Sequence, residues 1–425
     1  MNTQNPLPLD WRQVELGSVS LELYGGGTPS TKNPTLWNGS IPWITSKRLG
    51  DALLIDSGEK FISEKALTNS ATKVATRGSL LTATRVGVGK VGIAEIDVAI
   101  NQDISAIIVD PLVCDVRFIA YQLKSELVQL EFAKHRRGAT IQGITRDNLR
   151  DIPLALPPFQ EQRNIASVLT LVQQSIEQQQ RLIELTNELK HTLMHKLFTE
   201  GLNGEPQKQT EIGPIPESWT LRLLGSLAKV GNGSTPKRGN AEYWMEGDTP
   251  WLNSAKIHDL FIHSADQFVT PVAVKECHLP LVPAGSLLIA ITGQGKTLGN
   301  SAIVRFDTTI NQHLAYAKFT TDEVLPEFVL WYMQTRYEYL RSIAQAGGST
   351  KGALTCGFLK TIMIPIPTFQ EQEQIVEIFD LLYRRMQIIE SKHKALTELF
   401  DSLLHQLMTA TVRVDDLDLS VLEGS

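Results

Sequence analysis

Cysteine is scarce in this chain of 425 residues: Cys114, Cys277 and Cys356 are odd in number and far apart. That spacing excludes a disulfide framework and a close-spaced zinc site, so all three are expected to be buried thiols. Long apolar runs are missing too, since no stretch approaches the roughly 20 apolar residues of a membrane-crossing helix. Residues 1–10 lack the basic stretch and apolar core of a secretory signal. The expectation is a cytoplasmic protein with no membrane partner. Nor is there an excess of basic charge: 40 Lys and Arg stand against 46 Asp and Glu, a formal net charge of -6. A uniformly basic nucleic-acid binder is therefore excluded. Locally the balance differs, because Lys47, Arg48, Arg85, Lys90, Arg136, Arg137 and Arg146 fall in or beside turns while carboxylates crowd the helical stretches and the tail.

Catalytic signatures are also lacking. There is no Asn-Pro-Pro-aromatic or Asp-Pro-Pro-aromatic methyltransferase loop, no Gly-x-Ser-x-Gly elbow, no His-Glu-x-x-His metal helix and no Asp-Glu-Ala-Asp-like box. Two glycine runs imitate nucleotide sites. Gly87-Val-Gly89-Lys-Val-Gly92 is followed by a strand-like stretch, so no helix amino end lies under a pyrophosphate, and Gly293-Gln-Gly295-Lys296-Thr297 follows Ala290 where a P-loop has its first glycine. His191 and His195 lack a third ligand at a suitable spacing and read as a solvated helix face.

What is present is a repeat of nearly half the chain. Trp11 matches Trp219 and Gly17 matches Gly225, both 208 apart; Thr28-Pro29 matches Thr235-Pro236 at 207. Pro42-Trp43 and Ser46 return as Pro250-Trp251 and Ser254, and Gly78-Ser79-Leu80-Leu81 returns as Gly285-Ser286-Leu287-Leu288. Asn101-Gln102 matches Asn311-Gln312, and Phe159-Gln160-Glu161-Gln162 matches Phe369-Gln370-Glu371-Gln372, both at 210. The two glycine runs coincide as well, Gly89-Lys90 on Gly295-Lys296, so one shared tight turn carrying a lysine explains both. A period this long is a whole domain with its trailing helix, not a solenoid unit of roughly 20 to 50 residues. Residues between the landmarks differ freely, which implies a common frame carrying different loops.

Within each half, short apolar runs such as 79–84, 91–96 and 104–109 alternate with Gly, Asn, Asp and Pro and read as strands. Helical spacing predicts one helix over 115–131 and its counterpart over 325–343. A Pro-punctuated strand (152–158, 362–367) then leads into a long helix. In the second copy Ile375, Phe379, Leu382, Met386, Ile389, His393, Leu396, Phe400, Leu403 and Leu407 advance by fours and threes, a coiled-coil seam. The first copy keeps Ile165, Leu169, Val172 and Ile176 but places Gln179, Thr186 and Lys190 on the seam, with an apolar stripe displaced to Leu182, Leu185 and Leu189. The helices are expected to pack on each other, antiparallel under a pseudo-twofold, with the polar seam positions set against the partner helix or an outside subunit, rather than each lying on its own domain.

The fold class is thus α+β: two similar α/β domains, 1–155 and 217–365, two long spacer helices, 156–200 and 366–412, a polar linker, 201–216, and an acidic tail, 413–425. Reading DNA bases takes Asn, Gln, Arg, Lys, Ser or Thr on loops, with phosphate contacts fixing register. The matched loops offer Thr45, Ser46, Lys47 and Arg48, then Arg85 with Lys90, then Arg136, Arg137 and Thr140 in the first half. In the second they offer Asn253, Ser254 and Lys256, then Gln294 with Lys296, then Ser349, Thr350 and Lys351. Asn101-Gln102 and Asn311-Gln312 recur unchanged, which suits holding the fold or a common phosphate contact better than reading different bases.

Two variable domains, each closed by a Pro-ended strand, Phe-Gln-Glu-Gln and a long coiled-coil helix, with Ile212-Gly-Pro-Ile-Pro-Glu-Ser-Trp219 opening the second half, resemble the specificity subunit of Type I restriction-modification systems. The resemblance spans essentially the whole chain. It implies a non-catalytic subunit in which each domain reads half of a split double-stranded DNA site and the helices set the gap. Two DNA-methyltransferase subunits dock on the helices and methylate adenine, joined by restriction or translocase subunits where a nuclease is present. It further implies that this chain binds no cofactor and that S-adenosylmethionine belongs to the partners. A helix of about 40 residues spans roughly 60 Å, more than one DNA turn of about 34 Å. The competing readings are a coiled-coil protein-interaction scaffold without DNA recognition and a nucleotide-dependent enzyme built on the glycine turns.

Overall fold

The computed structural model describes residues 7–50, 52–136, 143–293, 296–346 and 353–417. It divides into two compact units, residues 1–182 with 389–425 and residues 183–388, so both boundaries fall inside long helices. Each unit is built to the same plan.

In the first unit a five-stranded sheet runs in the order Ser20–Gly25, Ile104–Val109, Leu80–Ala83, Val91–Ala94, Leu54–Ile55. Beside it lies a four-stranded sheet, Lys60–Ile62, Ile41–Ile44, Val98–Ile100, Lys73–Ala75. The second unit repeats the five strands as Ala228–Asn232, Leu314–Phe319, Leu287–Ala290, Ser301–Val304 and Phe261–Ile262, and pairs them with a three-stranded sheet. Leu80–Ala83 and Val91–Ala94 are buried at every position, which is why they read as unbroken apolar runs rather than alternating ones. A two-stranded sheet closes each domain. Arg12–Glu15 pairs antiparallel with Pro153–Leu156, and Thr220–Leu223 pairs with Met363–Ile366.

The helix expected over 115–131 is two helices, Val116–Lys124 and Glu126–His135. The break is at Ser125, whose backbone is extended (φ -64°, ψ 148°) and whose hydroxyl donates to Gln122 O at 2.6 Å. A serine hydroxyl that captures a helix carbonyl competes with the next helical bond. The turn swings Leu127 and Leu130 out to solvent. The counterpart also divides, at Arg336, into Pro326–Thr335 and Tyr337–Ala346.

The long helices are Phe159–Glu200 and Phe369–Met408. Gly201, at φ 66°, ends the first with a left-handed residue. In the first unit Ile165 and Leu169, with the half-buried Val172 and Ile176, share one core with the domain's Phe118, Ile119 and Leu154 and with Phe400, Leu403 and Leu407 of the second helix. In the second unit Ile375 and Phe379 share a core with Met194, Leu197 and Phe198 and with the domain's Phe328 and Trp331. The start of one helix and the end of the other therefore lie antiparallel on the same domain, so helix pairing and helix-on-domain packing, opposed in the sequence reading, coexist. Leu382, Met386 and Ile389 are buried and Leu396 is half-buried.

Three expectations are corrected. Leu182, Leu185 and Leu189 are 41%, 43% and 49% exposed while the polar Gln179 and Thr186 are buried. The 3.5-residue repeat set by Ile165, Leu169, Val172 and Ile176 carries those two positions inward whatever their polarity. The stretch 201–216 is not a free linker, because Gln207–Thr210 and Gly213–Pro216 form a hairpin that buries Ile215 in the second core. Of the cysteines only Cys114 is buried; Cys277 and Cys356 are half-buried, and all three are free thiols. Burial pushes the Cys114 thiol up to about 12. Among the described residues no helix is long and apolar enough to cross a membrane, and no cluster of three or more metal-ligating side chains occurs.

Candidate nucleic-acid interface

The repeated residues form the frame. Trp11 donates its indole N–H to Glu161 at 3.2 Å and Trp219 donates to Glu371 at 3.1 Å. Gln162 accepts from Asp115 N at 3.0 Å while its amide donates to Val113 O and Pro157 O. Gln372 does the same for Leu325 N, Glu323 O and Pro367 O. Each glutamine thus staples the domain's helix layer to the start of a long helix. Thr28 donates to Gln102 at 2.5 Å, and Thr235 to Gln312. Asn101 and Asn311 are buried and accept from the backbone N–H two residues ahead, at 3.1 and 3.0 Å. Each asparagine braces the backbone of its own turn.

The candidate loops gather on this frame. In the first unit Arg85 to Lys90 form the turn between Leu80–Ala83 and Val91–Ala94, with Gly87 and Gly89 at φ 74° and 90°. Both values lie in the left-handed region that a side chain would strain, which accounts for the two glycines by the turn itself. Gln129 donates to Gly89 O at 2.9 Å and Arg136 to Val88 O at 3.1 Å, fixing the turn against the helix Glu126–His135. A β-carbon on Gly50 would meet the Lys90 side chain at 3.3 Å, so the short helix Ser46–Arg48 and its following turn also reach this place. Three candidate segments, far apart in sequence, converge.

The second unit converges likewise. His258 Nε2 lies 3.2 Å from Thr297 Oγ1, which ties the short helix Ser254–His258 to the Lys296 turn. Tyr337 donates to Lys296 O at 2.7 Å and Asn300 to the same carbonyl at 3.2 Å. His258, Tyr337 and Asn300 were not singled out in the sequence, where single polar residues carry no spacing signal.

The candidate side chains differ in availability. Arg48 pairs with Asp56 at 3.1 Å, Lys256 with Asp266 at 2.9 Å and Arg85 with Asp103 at 3.8 Å. Thr45 binds Glu59 and caps Lys47 N, and Asn253 accepts from Ala255 N at 2.8 Å. Lys47, Lys90 and Lys296 are exposed without an ion-pair partner among the described residues, and Ser254 is half-buried. Ser46, at 3% exposure, is corrected: it is buried at the start of the short helix Ser46–Arg48 and is not presented on the surface. Arg137, Thr140, Gln294, Ser349, Thr350 and Lys351 lie outside the described residues.

Other features went unmarked in the sequence. Arg413 donates to Glu161 at 2.7 Å and to Asp10 at 2.6 Å, joining the end of the chain to the first domain. Phe159 and Phe369, repeated as residues, are 40% and 45% exposed and take no part in either core.

Comparison with known proteins gives one consistent result. The family model described as Type I restriction modification DNA specificity domain matches residues 8–187 and 216–398. The chain is 25% identical over 422 residues to the Type I restriction enzyme MjaIX specificity subunit of Methanocaldococcus jannaschii, covering 97% of this chain and 95% of that one. It is 31% identical over 162 residues to the EcoR124I/EcoR124II specificity subunit of Escherichia coli, covering 37% of this chain and 39% of that one. Among solved structures, the S subunit of a Type I restriction-modification system from M. genitalium aligns with a TM-score of 0.65 at 19% identity, covering 96% of this chain and 98% of that one.

Proposed function

We propose, on the premise that this chain belongs to the Type I restriction modification DNA specificity family, that each unit reads one half of a split double-stranded DNA site. The observation that carries this reading is the pair of loop clusters, Lys47 and Arg48 with Arg85, Lys90 and Arg136, and Asn253, Ser254 and Lys256 with Lys296. They stand at equivalent places on a repeated frame; Lys90 and Lys296 recur, which suits a common phosphate contact, whereas Thr45 and Lys47 are replaced by Asn253 and Ala255, so the side chains around the shared lysine differ. Base recognition must differ between half-sites whereas the frame need not. A coiled-coil scaffold without DNA would leave that division unexplained.

The chain itself performs no chemistry in this reading and holds no cofactor. It directs adenine methylation by two DNA-methyltransferase subunits, which hold the S-adenosylmethionine, and joins restriction and translocase subunits where a nuclease completes the complex. It acts in the cytoplasm, and its long helices set the gap between half-sites. Two identical partners need the same surface twice, and the exposed pairs Phe159-Gln160 and Phe369-Gln370 supply a repeated feature that neither core uses. The test is to express the chain with its neighbouring modification gene in a host lacking such a system and to map methylated adenine. A bipartite motif with a fixed gap is expected; a continuous motif, or no new methylation, would contradict the reading.

A further inference from the structure

Each unit holds a pair of tryptophans in an edge-to-face contact, Trp37 with Trp43 at 5.0 Å and Trp244 with Trp251 at 5.2 Å between ring centres, both with planes at 87°. All four indole N–H groups donate to the loop around the repeated Thr-Pro. Trp37 binds Ser30 O at 3.1 Å and Trp244 binds Lys237 O at 3.3 Å; Trp43 binds Gly27 O at 3.3 Å and Trp251 binds Ser234 O at 3.2 Å. The pair is therefore part of the frame.

A cation lies over the outer ring in both units, but it comes from a different position in each. In the first unit it is Lys60, with Nζ 5.3 Å from the Trp37 ring centre. Lys60 stands opposite Trp43 in the strand register, and the residue opposite Trp251 is Gln267. In the second unit it is Arg238, whose Cζ is 4.0 Å from Trp244 and 4.8 Å from Trp251, and which comes from the Thr-Pro loop where the first unit has Thr31. The residue is not repeated; the charge over the ring is. Both cations are exposed, and neither has a carboxylate or hydrogen-bond partner among the described residues, unlike Arg48, Arg85 and Lys256. In the first unit the cation borders an open hollow of about 500 Å³ lined by Thr31, Trp37, Gly39, Lys60 and Phe61.

We infer that Lys60 on Trp37 and Arg238 on Trp244 are matched phosphate contacts, each gripping the DNA backbone beside its half-site. The inference rests on the DNA-reading function proposed above and adds the group contacted. A feature common to two units that read different bases must meet what the two half-sites share, and that is the phosphodiester backbone. Stacking on an indole holds a flexible side chain in place and leaves its N–H groups free to donate, so less conformational freedom is lost on binding.

The experiment uses the chain in complex with its modification subunits, with Lys60→Ala, Arg238→Ala and Arg238→Lys, on DNA carrying the enriched site and on unrelated DNA across a salt series. Each alanine variant is expected to lose several-fold in affinity on both DNAs, to lower the slope of log affinity against log salt by about 1, and to enrich the same sequence. Arg238→Lys should restore most of the affinity, which separates lost charge from lost folding. A changed base preference at one position would make the residue a base reader and overturn the inference; so would unaltered affinity and slope. A wild-type complex enriching no bipartite site would remove the recognition reading itself, an outcome visible without any variant.

Discussion

The indole N–H of Trp219 meets Glu371 Oε2 at 3.1 Å, and Glu371 Oε1 also accepts the backbone N–H of Leu202 at 3.0 Å. One buried carboxylate thus holds the domain's first strand, the start of the second long helix and the chain leaving the first. Glu371→Ala strands one buried and one half-buried donor and is expected to destabilise the protein by about 3 kcal/mol, whereas Glu371→Gln keeps an acceptor and should cost about 1 kcal/mol. Chemical denaturation of the two variants checks the order; equal losses would mean that a neutral acceptor of the same volume cannot replace the carboxylate, so that its charge and not the stranding of donors sets the loss.

In the first unit Arg413 takes the place of the Leu202 amide, binding Glu161 and Asp10. The Arg413 hydrogen bond holds the Asp10 carboxyl below its ordinary value of 3.8. A depressed folded-state value means that its contribution is complete above the unfolded value and is lost as pH falls through the folded one. Arg413→Ala should therefore lower Tm by the same amount at every pH from 8 to 5, and the difference from wild type should shrink only below about pH 3.8. A difference that vanished between pH 7 and 6 would implicate some other group.

Tyr121 and Tyr332 are both pushed up to about 12 by burial, but their hydroxyls differ in company. Tyr121 O–H donates to Thr170 at 3.1 Å, while the Tyr332 hydroxyl is buried without a partner among the described residues. Tyr121→Phe should cost about 1 kcal/mol and Tyr332→Phe should be neutral or slightly stabilising. Thermal melts of the pair decide it, and a loss at Tyr332 equal to that at Tyr121 would count against this packing.

Much of this frame was legible in the sequence because its parts recur. Trp11, Gln162, Asn101 and Thr28 stand out by repetition, and the structure shows that repeated residues bind one another. Position within the seam was harder to read. Gln179 and Thr186 are carried inward by the register of their neighbours, so hydrophobicity pointed to Leu182, Leu185 and Leu189 instead. The break at Ser125 depends on one hydroxyl reaching one carbonyl, which periodicity cannot register. The loop clusters were found because their turns recur, yet which cations are free depends on Asp56, Asp103 and Asp266, distant in sequence or silent in pattern.

The exposed Phe159 and Phe369 give a prediction about partners. Phe159→Ala with Phe369→Ala should leave the melting temperature within about 2 °C, since neither ring is buried in a core. The double variant should retain less of the modification subunit on co-purification, and each single variant should show an intermediate loss. Full retention by the double variant would place the docking surface elsewhere.

Spacing offers a further check. Inserting one heptad into each long helix, near Ile176 and near Met386, preserves the 3.5-residue seam while lengthening both helices by about 10 Å. The enriched half-sites should be unchanged and the gap between them longer. An unchanged gap would mean that the helices do not set it.

The central claim, that this chain chooses a divided DNA sequence, is tested most directly by selection from a random double-stranded DNA pool, using the chain bound to its modification subunits at moderate salt. Two short motifs separated by a fixed run of unspecified bases are predicted, and exchanging the loops around Lys47 and Lys90 for those of another family member should replace one motif and leave the other intact. Enrichment of no sequence, or of a single uninterrupted one, would contradict the account.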